Sequence, residues 1–253
     1  MFGRRKKGSA AEDAAGEAEQ VVDDVDTEAD EAELGRVRLE PEPRPDGPWD
    51  DAEVRDPAEG RVDLGGIFVP GVEGMELRVE VAGDAIVAAT VVLKDSAIQL
   101  QAFAAPKREG IWGEVREEIA SGITQQGGVI DEVEGSLGWE LRAQVPVQLP
   151  DGTGGFQVVR FVGVDGPRWF LRGVISGQGA VQPQAAGLLE QIFRDTVVVR
   201  GEGPMAPRDP IVLKLPNDAQ MVPEGVQQDE QEGSRFSGGM GQLQRGPEIT
   251  EVR

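Results

Sequence analysis

The sequence predicts an α+β domain: a largely antiparallel sheet with two amphipathic helices packed on one face, flanked by disordered termini. Three observations lead there. β-Branched runs broken by Gly, Asp or Pro recur between Arg61 and Pro216, as short strands joined by turns do. Two stretches inside that span carry apolar residues at helical spacing instead. Both ends of the chain are rich in acids, Gly or Gln and poor in large apolar side chains, too poor to offset the entropy lost on ordering them.

Residues 1–48 are read as a disordered acidic arm, with eleven acidic residues and no basic one between Glu12 and Glu33. Its basic tip, Arg4, Arg5, Lys6 and Lys7, is a solubilising end or a weak contact for an anionic membrane surface. No apolar stretch follows that tip, so it does not have the pattern of a secretory signal. "GPWDDAEV" is expected to lead into the fold, with Trp49 docking on a single α+β domain over residues 49–216. There "RVDLGGIFVP", "MELRVEVA", "AIVAATVVL" and "SAIQLQAFAAP" read as consecutive strands. "IWGEVREEIASGI" follows as a helix with Trp112, Val115, Ile119 and Ile123 on one stripe.

Strands are expected again at 128–133, 139–147, 156–164 and 168–175. A second helix has Ala185, Leu188, Leu189, Ile192 and Phe193 as its apolar stripe. "TVVVRG" and "PIVLKL" read as the last strands. Residues 217–253 are read as a disordered Gln-, Gly- and Glu-rich tail. Its final "GPEITEVR" alternates Ile249 and Val252, the pattern of a short peptide that adds a strand to a sheet edge.

Composition removes several functions. The formal charge is −21, with nets of −11 over residues 1–60, −6 over 61–215 and −4 over 216–253. Such a surface argues against general nucleic-acid binding, which needs clustered cations facing phosphates. There is no Cys, His or Tyr, so disulfides, thiolate metal sites and every Ser-His or Cys-His arrangement are excluded. Any chemistry falls to carboxylates, to Lys94, Lys107 or Lys214, or to a borrowed cofactor. No apolar run approaches the roughly 20 residues of a membrane-spanning helix, and the expected location is cytoplasmic.

Few motifs point to chemistry. "ISGQGAVQP" places Gly177 and Gly179 in a turn between strand and helix, where backbone amides can meet an anion. A dinucleotide fingerprint would need Gly at the position of Gln182, and no Gly-Lys-Ser/Thr sequence occurs. Asp131 and Glu132 are candidate cation ligands but lack a loop of regularly spaced oxygens. Glu114 and Glu118, one helical turn apart, suit a solvated face better than acid–base work.

"FQVVRFVGVDGPRWFLRGVI" reads as a hairpin turning at Asp165-Gly166. Val164 would face Pro167, Val162 would face Trp169, and Arg160 would face Leu171. Alternation then puts Arg168, Phe170 and Arg172 on one face with Phe161, and makes Arg200 a candidate neighbour. Two uses of that strip stand side by side. The arginine stems cover the aromatic rings and their heads pair with acids of the same domain. Or the strip takes a carboxylate or phosphate by bidentate contact over an apolar floor, the acidic arm being one such ligand.

"RVDLGG", "IQLQAFAAP" before "EGIWGEVREEI", "VDGPRWFLRGV", and "RDTVVVRG" before "MAPRDPIVLKLP" together resemble the actinobacterial domain of unknown function 3710 family. "MFGRRK" and "GPEITEVR" fit it too. The resemblance implies a small cytoplasmic protein and carries over no activity, substrate, cofactor or catalytic residue. The expected function is therefore a non-enzymatic module or adaptor with a protein partner and no cofactor. The alternatives are a nucleotide- or phosphoryl-handling enzyme using Gly177, Gly179 and an acid such as Asp131 or Glu132, and an RNA-associated factor.

Overall fold

The computed structural model describes residues 42–148, 152–215 and the backbone of 244–249. The basic tip and the acidic arm up to residue 41 lie outside the described residues, as does most of the tail; residues 42–48, expected to belong to the disordered arm, are instead placed against the domain, where Arg44 pairs with Glu53. Two sheets form. The larger contains β4 (Glu76–Ala82), β5 (Ala85–Leu93), β6 (Ser96–Ala104), β7 (Val129–Gly135), β8 (Gly138–Gln148), β9 (Gly154–Gly166), β10 (Trp169–Gly177) and β12 (Gln244–Ile249). Its order is β12-β4-β5-β6-β10-β9-β8-β7, and every neighbouring pair is antiparallel. The smaller contains β1 (Trp49–Asp50), β2 (Arg61–Asp63), β3 (Ile67–Pro70) and β11 (Val197–Val198), ordered β1-β11-β3-β2 with β1 and β11 parallel. Three helices join them: α1 (Trp112–Gln125), α2 (Gln178–Val181) and α3 (Pro183–Asp195).

The larger sheet is buried on both faces at its centre. Leu171, Val162, Ile175 and Leu100 face α3 and the small sheet, in one core with Leu189, Ile192, Phe193, Ile67 and Val198. Phe170, Phe161 and Phe103 point the other way, into a second core under Trp112, Ile119 and Ile123 of α1. The two helices therefore lie on opposite faces, not on one as the sequence led us to expect. Two glycines show how closely each approaches. A Cβ on Gly163 would stand 2.6 Å from the Trp112 ring, and one on Gly173 would stand 2.9 Å from Phe193. Each fully buried large apolar side chain contributes about 1.5–3 kcal/mol, so both helices are held mainly by these aromatic contacts.

Three further expectations change. In α3 the buried residues are Ala186, Leu189, Ile192 and Phe193, while Leu188 is 47% exposed; the helix is rotated so that Ala186 faces the core. "TVVVRG" contributes only Val197–Val198. "PIVLKL" forms no strand but a wedge where β5 and β6 part, since their pairing runs only from Ala89↔Leu100 to Leu93↔Ser96. Ile211 N donates to Ala102 O (2.8 Å) and Leu213 N to Ile86 O (2.8 Å). The wedge thereby satisfies groups that β5 and β6 would otherwise leave open.

The β9–β10 register also differs. Gly166 pairs with Trp169, Leu171 with Val164 and Ile175 with Arg160, so Pro167-Arg168 makes the turn. Asp165 stays in the strand because its carboxylate accepts from Ile111 N (2.8 Å) and Trp112 N (3.1 Å), capping α1. Gly166 lies under the Trp169 ring, where a Cβ would stand 2.2 Å from ring carbons. The shift moves each strand by two residues, so the faces of Phe161, Phe170 and Arg172 are as expected.

Within residues expected to be disordered tail, 244–249 pair with the outer edge of β4, from Gln244↔Val81 to Ile249↔Leu77. Among the described residues no helix is long and apolar enough to cross a membrane.

Candidate functional site

The five residues expected to form one strip are separated by the fold. Phe161 and Phe170 are each 1% exposed beneath α1. The Phe170 ring stacks 5.6 Å from Trp112 and 6.1 Å from Phe103. Arg172 is also buried. One of its terminal nitrogens donates to Gln101 Oε1 and its guanidinium lies 5.4 Å over the Phe103 ring, while Nε has no hydrogen-bond partner. Burial pulls its pKa down to about 10, with the Glu80 carboxylate opposing. Phe161, Phe170 and Arg172 thus belong to a core, which leaves exposed Arg168 and half-buried Arg200 as the accessible part of the strip.

Those two form a cationic corner at the β9–β10 turn. Arg168 takes φ +65° in the turn, which turns its exposed side chain away from the strand face. Its carbonyl accepts from Ala105 N at 2.9 Å, so the segment carrying exposed Lys107 and Arg108 begins beside it. Arg200 donates from Nη1 to Gly203 O at 3.0 Å. Its pKa is lowered, first by desolvation and then by the nearby Arg168 charge. Neither arginine pairs with a carboxylate among the described residues. Arg44, Arg78, Arg116, Arg142, Arg160 and Arg208 all do.

A cleft of about 390 Å³ opens at the same end of the sheet, lined among others by Arg44, Trp112, Arg116, Asp165 and Arg194. That volume lies within the range of small-ligand sites, about 300–1,000 Å³. The Arg116 guanidinium lies 5.6 Å from the Trp112 ring and 5.8 Å from that of Trp139, and its Nε is 3.0 Å from Glu132. Trp112 Nε1 donates to Trp139 O at 2.8 Å. Arg44 lies over Trp169 at 5.1 Å and pairs with Glu53, holding that carboxyl below its ordinary range. Burial raises the Asp165 pKa, Glu42 adds to the rise, and the two capping amides and Arg116 oppose it.

The alignment of Arg116 between two indoles has a partial sequence signal, Trp112 and Arg116 being one helical turn apart. Nothing in the sequence brings Trp139 to them. Behind the cleft an ion cluster also escaped the sequence reading. Glu140 is fully buried, with its Oε2 2.7 Å from Arg160 and its Oε1 2.8 Å from Arg142. Arg160 reaches Glu190 on α3 at 2.8 Å. Twenty and thirty residues separate Arg160 from these two acids.

At the glycine turn the amides already have partners. Gln178 N donates to Asp95 O (3.0 Å), and Gly179 N donates to Ser96 Oγ (3.0 Å). Gly177 itself is exposed. Asp131 and Glu132 are successive on β7 and so point to opposite faces, Glu132 toward Arg116. Among the described residues no group of three or more potential metal-ligating side chains occurs. Glu114 and Glu118 both bind Arg208, at 2.7 and 2.6 Å.

No curated protein matches the chain. Residues 47–221 match the family described as protein of unknown function DUF3710. That span holds β1 to β11, both longer helices and the cationic corner, and the chain belongs to this family.

Proposed function

We propose that the protein is a non-enzymatic interaction module of the cytoplasm that receives an acidic segment of a protein partner at its cationic corner. The observation that carries this reading is the pair Arg168, which is exposed, and Arg200, which is half-buried: they are near enough for the Arg168 charge to act on Arg200, and neither forms a salt bridge among the described residues. Two guanidinium groups within electrostatic reach of each other repel, and a bound carboxylate relieves that repulsion while accepting bidentate hydrogen bonds from either. The fold supplies part of the rigidity: Arg168 sits in the turn of the β9–β10 hairpin, and Arg200 follows β11 and is held by its bond to Gly203 O, so less ordering entropy is lost on binding. Exposed Lys107 and Arg108 follow in the adjoining segment and extend the positive field. The overall acidity works in the same direction, because it discourages nucleic acid elsewhere on the surface and leaves the corner as a local exception.

The test is affinity capture from native lysate with the full chain, comparing wild type with Arg168→Glu plus Arg200→Glu. A partner that is lost with the reversed charges, and that also elutes at raised salt, is expected. Equal recovery by both proteins, with equal melting temperatures, would remove the corner as the binding surface.

A further inference from the structure

The outer edge of β4 offers a second recognition surface, remote in the strand order from the cationic corner. Without a neighbour there, β4 would present a row of unpaired backbone groups, the usual template for adding a strand. Residues 244–249 take that place, and three of their four paired positions with β4 are chemically complementary, Gln244 opposite Val81 being the exception. Arg245 stands opposite Glu80, Glu248 opposite Arg78, and Ile249 opposite Leu77. Cross-strand pairs of opposite charge are favourable and like charges opposite one another are not, so this register reads sequence as well as backbone.

The pairing is broken in its middle. Between Arg245 and Glu248 the tail advances three residues while β4 advances two, from Glu80 to Arg78, which is a one-residue bulge. Gly246 and Pro247 occupy it, and proline has no N–H to give to a ladder. The added strand is therefore held by two short runs of pairing. Among the described residues only β4 flanks it in the sheet, and twenty-eight residues separate it from Leu215. A strand so weakly integrated and so loosely connected in sequence is suited to leave its edge without disturbing either core.

We infer that the β4 edge is a strand-addition site whose ligand is the chain's own C-terminal segment around 244–249, docked as a tethered and displaceable peptide and selected by Glu80 and Arg78. The site goes beyond the cationic corner, with different residues, a different ligand and a different readout, so either can fail alone. Because the tether makes docking intramolecular, a free copy of the segment competes poorly with it. Weakening the tethered copy should open the edge to the free one.

The experiment uses the full chain and a fluorescein-labelled peptide of residues 243–253, read by anisotropy. Wild type is expected to bind it weakly. The tail variant Arg245→Glu plus Glu248→Arg is expected to bind it more tightly, by about two- to five-fold for each pair made unfavourable in the tethered strand. Adding Arg78→Glu to that variant should reverse the preference, so that a peptide carrying Glu248→Arg now binds better than the native one. Hydrogen exchange on the variants provides an independent reading: β4 amides facing the tail should lose protection in the tail variant, while those of β6 and β10 keep theirs. Equal peptide binding by wild type and tail variant, or a preference indifferent to Arg78→Glu, would overturn the inference.

Discussion

Removing Glu140 is the sharpest perturbation of the scaffold behind the cleft. Its carboxylate is fully buried and takes hydrogen bonds from Arg160 Nη2 (2.7 Å), Arg160 Nε (3.2 Å) and Arg142 Nε (2.8 Å). Arg142 is 53% exposed along its side chain, so its share is small, about 0.2–1 kcal/mol. Arg160 is the costly partner. In Glu140→Ala its buried guanidinium would keep only Glu190, at 2.8 Å, and face a cavity on its other side. Breaking one side of a buried pair in this way costs about 3–5 kcal/mol. For a domain of this size each kcal/mol lowers Tm by about 2–4 °C, so a fall of roughly 6–20 °C is expected. Arg142→Ala should lower Tm by no more than about 4 °C. Calorimetry on the full chain reads both values. A loss below about 1 kcal/mol for Glu140→Ala would show that the buried cluster is not what ties α3 to β8 and β9.

Other perturbations separate the two cores and the surface. Gly163→Ala places a Cβ 2.6 Å from the Trp112 ring and should destabilise by about 1–3 kcal/mol, with a change in near-ultraviolet dichroism; an unaltered spectrum would argue against close packing of α1 there. Arg172→Met removes a buried cation that has one hydrogen-bond partner, Gln101, and an unpaired Nε. The burial cost of the cation is relieved, while Gln101, also buried, loses its donor at a cost of about 1–3 kcal/mol; the two offset, and a loss beyond about 3 kcal/mol would contradict its placement. The Glu190 carboxyl titrates below its ordinary value of 4.5: burial pushes it up, but the Ser136 hydroxyl and Arg160 prevail. Its stabilising contribution is complete above the unfolded pKa and is lost as pH falls through the lower folded value. Wild type should therefore lose more stability than Glu190→Gln as pH falls below 4.5, and parallel curves for the two would refute the assignment.

Much of the fold was legible because strand alternation and helical spacing are local. The strands from Glu76 to Ala104 and the stripe of Trp112, Ile119 and Ile123 follow directly from them, whereas the run "RVDLGGIFVP", read as one strand, divides into β2 and β3, which pair in the smaller sheet. What escaped was set by distant contacts. A helical stripe says that a face is buried, not which side of the sheet covers it. The adjacent large apolar pairs Phe161-Val162 and Phe170-Leu171 did carry that information, since neighbouring strand residues point to opposite sides and both must be buried. Asp165-Gly166 has the strongest local turn signal, yet the α1 cap and the Trp169 ring hold both residues in the strand. The candidate strip failed as a surface for the same reason. Alternation placed Phe161, Phe170 and Arg172 together correctly, and α1, which the sequence could not assign to that side, covers them.

Arg168 and Arg200 together constitute the proposed recognition site. The most direct measurement is quantitative capture of cellular partners by the full chain in four forms: wild type, Arg168→Glu, Arg200→Glu and the double variant, each checked for an unchanged Tm. One partner is expected to fall stepwise across the series and to be weakened by salt in wild type. A partner set identical in all four forms would contradict it.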